Sequence, residues 1–161
     1  MELRMKPSEV LERAREAALR IKAIDAEIKE LHDRIGVQGH SYGFHGKNDI
    51  RDPMRKVDEM IDGTVDLETE REECEIDIIA AWRVIDGLSA MDSETREKYT
   101  TDHEYVLTEY YIYAKSDHEL AEGTGYPESV CMRAVREAVR MCDEIGLAGL
   151  NAARLRGKYA Y

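Results

Sequence analysis

From Ala14 to Ile35 the apolar residues fall at Ala14, Ala17, Ile21, Ile24, Ile28, Leu31 and Ile35, in steps that alternate between three and four. That spacing is a heptad seam, and it folds only as a helix that lays one narrow stripe against another helix. Charged side chains such as Arg15, Glu16, Lys22, Asp25, Glu27 and Lys29 take the remaining faces. A helix built into a thick core would carry a wider apolar stripe, so this one needs a single long partner. The partner follows in the chain. Val57, Met60, Thr64, Leu67, Arg71, Cys74, Ile78, Ala81, Ile85 and Leu88 repeat the rhythm. Ile61, Ile79 and Trp82 widen this second seam, whereas Gly63 and Arg71 weaken its middle. Ser8, after Pro7, is placed to cap the first helix, which is expected to run to about Ile35, and Pro53 opens the second, which is expected to end near Leu88.

Gly36, Gly39, Gly43 and Gly46 punctuate the intervening stretch. Residues 1–90 are therefore expected to form a long antiparallel, coiled-coil-like hairpin with a glycine-rich loop at 36–52. Apolar surface left over from the two seams invites a second copy, and a homodimer is expected. The loop also carries His40, Tyr42, Phe44 and His45. Its aromatics either close over the hairpin end or dock a partner. The two histidines have no third ligand nearby, so no metal site is expected.

Charge is segregated along the chain. The formal net charge is −11, and ten carboxylates face one base, Arg71, between Asp58 and Asp77. From Glu128 to Tyr161 the balance reverses to four acids against six bases. Only the C-terminal part has the charge to attract nucleic acid. Cys74, Cys131 and Cys142 are an odd set without CxxC or CxxH spacing, and all fall in helical patterns, so reduced packing residues are expected. No apolar run reaches the roughly 18 residues of a membrane span. Glu2, Arg4 and Lys6 interrupt anything resembling a signal peptide. These features fit a cytoplasmic protein.

Beyond the second seam the elements shorten. Asp92 or Ser93 opens a turn, and a helix is expected near Asp102–Tyr113. Ser116 caps a brief helix containing Leu120 and Ala121, and Glu122–Tyr126 is a glycine turn. A third helix follows Pro127 to about Glu144, with Val130, Cys131, Ala134, Val135, Ala138, Val139 and Cys142 expected on its inner side. Gly146 is expected to stop it, leaving 147–161 as a basic, flexible tail that carries Arg154, Arg156 and Lys158. Three helices with a short glycine turn before an amphipathic, arginine-bearing last helix fit a trihelical helix-turn-helix over 91–146. The fold class expected is thus all-α, a helical hairpin followed by a C-terminal helix-turn-helix.

The segment YVLTEYYIYAKSDHELAEGTGYPESVCMRAVREAV resembles the sigma-factor region-four type of helix-turn-helix, in the version found in ArpU-like phage and prophage transcriptional regulators. Tyr110-Tyr111-Ile112 lies over that family's arginine-tyrosine-isoleucine, and Ser116 to Ala121 over its capped bracing helix. Gly125-Tyr126-Pro127 lies over its turn, Cys131 takes a buried valine place, and Arg133 matches its arginine. Tyr110 departs from the pattern, as do His118, Pro127 and Glu128, the last near the first groove-facing position. The resemblance implies a dimeric transcriptional regulator that binds double-stranded DNA. The DNA-binding candidates are Ser129, Met132, Arg133, Arg136 and Arg140, with Lys115 and Ser116. Met132 suits a thymine methyl, and Arg133 or Arg136 a guanine edge.

A different reading uses the acidic seam. Asp62, Asp66, Glu70, Glu73 and Asp77 share one helix face and imitate the charge of a phosphate backbone. Such a face suits the basic groove of a host CRISPR effector or RNA polymerase, which would make the chain an anti-CRISPR or polymerase inhibitor. No catalytic set emerges: Gly123-Thr124-Gly125 lacks the lysine of a phosphate loop, and His103 and His118 merely lie among carboxylates. Neither enzymatic activity nor a cofactor is expected.

Overall fold

A computed structural model describes residues 5–41, 53–91 and 101–158. It is all-helical, with no strand among the described residues. Helix α1 spans Pro7–Ser41 and α2 spans Pro53–Ser89. A short helix α3, Thr101–Leu107, runs on into a π-helical turn, Thr108–Ile112. Helix α4 is Asp117–Thr124 and α5 is Glu128–Lys158. The loop aromatics Tyr42 and Phe44, with His45, and the turn expected at Asp92 or Ser93 lie outside the described residues.

Several boundaries differ from the sequence expectation. Helix α1 continues through Gly36 and Gly39 to Ser41, because an isolated glycine weakens a helix by only about 1 kcal/mol without ending it. Ser8 lies inside the first turn of α1 instead of capping it. Its amide donates to the Asp143 carboxylate at 2.9 Å, and the Lys6 amide donates to Glu9 at 3.2 Å. The Glu9 and Val10 amides donate to the Lys6 carbonyl, so that carbonyl and the two carboxylates together satisfy the amides at the start of α1.

Residues 147–158 are also helical rather than part of a flexible tail. Gly146 leaves the helical region, with φ 79°, and the helix resumes beyond it to Lys158. Leu150 and Ala153 are each about 1% exposed. Gly87 permits this packing, since a Cβ there would lie 2.8 Å from the carbonyl carbon of Leu150. Gly157 makes a looser approach, where a Cβ would lie 3.2 Å from the Ala90 methyl.

The chain gathers into two compact units. One comprises the chain up to Leu19 and from Glu75 onward, the other Arg20–Cys74. This division cuts across the expected one, for the terminus of α1 and the end of α2 share a core with α3, α4 and α5. Leu11 and Ala14 of α1, Ile85 and Leu88 of α2, Leu107, Leu120, and Val135, Ala138 and Cys142 of α5 meet in one cluster. Burial pushes the Cys142 thiol up to about 12 and the Tyr111 hydroxyl up to about 12, so both stay neutral packing groups at physiological pH. None of the three cysteines is in a disulfide; Cys131 and Cys142 are buried and Cys74 is half-buried.

The second unit is built differently. Among its described residues only Ile24 is buried, while Ile21, Ile28, Leu31, Met60, Leu67 and Cys74 are half-buried. Arg20 forms a two-pronged pair with Glu70, at 2.6 and 2.9 Å, and Arg71 reaches Asp25 at 3.0 Å. Leu31 lies opposite Gly63. Arg20 meets Glu70, and Leu31, farther along α1, meets Gly63, earlier on α2, so the two helices run antiparallel here. Arg71, a misfit in an apolar seam, keeps its place by this ion pair.

Candidate nucleic-acid interface

The segment around α4 is organised by local chemistry. Ser116 is the N-cap: its hydroxyl accepts from the Glu119 amide at 3.2 Å, and Glu119 reaches back to the Ser116 amide, closing a capping box. At the other end Gly125 takes a left-handed conformation, φ 78°, and its amide donates to the Ala121 carbonyl. A side chain with a Cβ is disfavoured in that conformation, which is why the turn needs glycine. The Val130 and Cys131 amides then donate to the Pro127 carbonyl, which starts α5.

Before α4 the backbone is unusual. The π turn over 108–112 is followed by Ala114 at φ 52°, a conformation that non-glycine residues adopt at some cost. Arg15 of α1 holds this junction. Its guanidinium donates to the carbonyls of Tyr110 at 2.6 Å and Lys115 at 3.0 Å, and it lies 3.9 Å from the centre of the Tyr110 ring. One side chain therefore satisfies two carbonyls left open by the helix end and stacks on an aromatic face. In the sequence Arg15 is one more charge beside a heptad seam; its partners lie too far along the chain for any local pattern to announce them.

Helix α5 divides into two faces. Cys131, Val135, Ala138 and Cys142 are buried. Ser129, Arg133, Arg136 and Arg140 fall at i, i+4, i+7 and i+11, all exposed, within a narrow stripe on the opposite side. Among the described residues neither Arg133 nor Arg136 has an ion-pair partner, and Arg140 meets Glu144 only at 3.9 Å. Arg136 and Arg140 border a groove of about 560 Å³ that also brings up Lys6, Glu12, Asp143 and Glu144. At the head of the stripe, Glu128 lies 3.5 Å from His118, which also approaches Glu122 at 2.9 Å.

The other candidates are placed elsewhere. Met132 is half-buried and packs against the core, so it is not part of the exposed stripe. Val130, expected inside, is 41% exposed, because its position on the helix turns it about a quarter-turn or more from the buried face. Lys115 is half-buried and pairs with Glu109 at 2.5 Å, which raises its pKa. The Ser116 hydroxyl is engaged in the cap. Lys115 and Ser116 thus shape the turn, while the four stripe residues face outward.

The acidic candidates are also divided. Asp62, Asp66 and Glu73 are exposed, and Asp77 is half-buried. Glu70 is held by Arg20, whose hydrogen bonds keep its carboxyl below the usual range, so it is not a free negative charge. Among the described residues no cluster of metal-ligating side chains occurs, and no helix is long and apolar enough to cross a membrane. Compared with protein-family models, with curated proteins and with solved structures, the chain matches none.

Proposed function

We propose that this chain is a phage-type DNA-binding transcriptional regulator that acts as a dimer. In this reading α3, α4 and α5 form a trihelical helix-turn-helix of the sigma region-four kind, and α1 with α2 forms a coiled-coil-like hairpin. The observation that carries it is the stripe Ser129–Arg133–Arg136–Arg140, exposed on the side of α5 opposite its buried face. A helix seated in a major groove needs its core residues behind it and donors in front, and arginine supplies paired donors for guanine and single ones for phosphate. The capped α4 and the left-handed Gly125 turn support the same reading, since a bracing helix must enter α5 at a fixed angle. The resemblance of this segment to ArpU-like regulators agrees with it.

Retention of random-sequence duplex DNA at low salt tests the proposal. The wild-type protein is expected to bind and to release as salt rises. Arg133→Ala/Arg136→Ala is expected to lose binding, and Arg140→Ala to reduce the salt dependence by about one phosphate contact.

Exposed Asp62, Asp66 and Glu73 favour a second reading, an acidic inhibitor of a host CRISPR effector or RNA polymerase. Charge reversal at Asp62, Asp66 and Glu73 separates the two: it abolishes inhibition in the second reading and leaves DNA retention intact in the first.

A further inference from the structure

Helix α2 carries a stripe with no role in the site above. Glu72, Ile76, Ile79 and Arg83 occur at i, i+4, i+7 and i+11, one face of the helix. All four are exposed, Ile76 at 66% and Ile79 at 51%. Two exposed isoleucines a turn apart, with an acid one turn before them and a base one turn after, read the same from either end once charge sign is exchanged. Beside them opens an apolar pocket of about 200 Å³, lined by Val10, Ala80, Val84, Leu147 and Leu150, with Arg83 at its rim.

We propose that this stripe is the dimer interface and that its occupant is the same stripe on a second copy, packed antiparallel about a two-fold axis between Ile76 and Ile79. In that register Ile76 faces Ile79 of the partner subunit, and Glu72 faces Arg83 of the partner subunit. Each contact is made twice, as a two-fold interface requires. Parallel packing would set Glu72 against Glu72 and Arg83 against Arg83, which repel, so the charges select the antiparallel arrangement. Among the described residues neither Glu72 nor Arg83 is engaged in an ion pair within the chain, which leaves both for the partner. A basic groove of a host enzyme fits the stripe poorly, because its centre is apolar and one end is an arginine. The inference supplies the interface for the dimer in the proposed regulator and rests on that reading only for its purpose.

Sedimentation of the full chain without DNA tests it, with circular dichroism checking that each variant keeps its helix content. The wild type is expected to be a dimer at micromolar concentration, and Ile76→Ser/Ile79→Ser a monomer. Glu72→Arg and Arg83→Glu are each expected to weaken self-association roughly tenfold or more, since like charges then meet at both ends. An equimolar mixture of the two single variants, and the double variant Glu72→Arg/Arg83→Glu, are expected to recover the dimer. A monomeric wild type, a dimer indifferent to the single reversals, or a mixture that does not recover would overturn the interface. Because no DNA is present, these failures are distinct from a failure of Arg133 and Arg136 to bind DNA.

Discussion

The same heptad rhythm runs through both ends of α1 and α2, yet its residues end in different environments. Within Arg20–Cys74 the seam positions Ile21, Ile28, Leu31, Met60 and Leu67 are half-buried, and Ile24 alone is fully covered. Within the other unit the seam positions Ala14, Ala17, Ala81, Ile85 and Leu88 are buried. The pattern is constant, and what changes is the presence of a further layer. Two helices cover only the strip between them, whereas α3, α4 and α5 close over the first unit's seams from other sides. Where that layer is missing, ion pairs such as Arg20–Glu70 and Arg71–Asp25 flank the seam. Heptad spacing therefore predicts pairing but not depth of burial.

The comparison can be broken by truncating equivalent seam residues. Ile85→Ala, at a fully buried site, is expected to cost about 2–5 kcal/mol, whereas Ile28→Ala, half-buried, is expected to cost well under half as much. Chemical denaturation of the two variants measures both, and equal losses would refute the two-environment account. Next in size is Gly87→Ala. The gain in helix propensity is outweighed by the clash with the Leu150 backbone, for a net loss of about 1–3 kcal/mol. Thermal melting reads it, and a stabilised variant would show that the segment beyond Gly146 does not pack there.

Ser116→Ala removes the hydroxyl half of the capping box and is expected to cost about 0.5–2 kcal/mol. Hydrogen exchange should show the loss concentrated in α4. The smallest effect belongs to the second unit. Glu70→Gln breaks the pair with Arg20, both partners being partly exposed, and the melting temperature is expected to stay nearly unchanged at neutral pH. The hydrogen bonds from Arg20 hold the Glu70 carboxyl below its ordinary range. Its contribution is therefore complete above the ordinary carboxylate range and is lost as pH falls through the lowered value. A difference between Glu70→Gln and wild type that shrinks only in acid supports this, and one that shrinks on going alkaline contradicts it.

Much of this was legible in the residues. The two seams, the proline that opens a helix at Pro53, the Ser116 cap and the arginine spacing on α5 are all local patterns, and local patterns survive folding. What escaped depends on distant partners. Gly146 breaks α5 as its residue type suggests, but Leu147, Leu150 and Ala153 continue a helical spacing that the flanking glycines and bases obscure. Gly87 is a close approach, not a weak point, and only the position of Leu150 reveals it. Arg15 and Asp143 act across the chain, on the junction before α4 and on the start of α1. Met132 illustrates the limit within a single helix, since a residue at the edge of a stripe is assigned inside or outside by its neighbours.

The most direct test of the regulator reading is selection of binding sites from a random duplex library at two salt concentrations, with Arg133→Ala/Arg136→Ala alongside. Enrichment of a discrete site with two-fold-related halves, lost in the double variant, is the result expected of a dimer that reads bases through α5. No DNA retained even at the lower salt would contradict it.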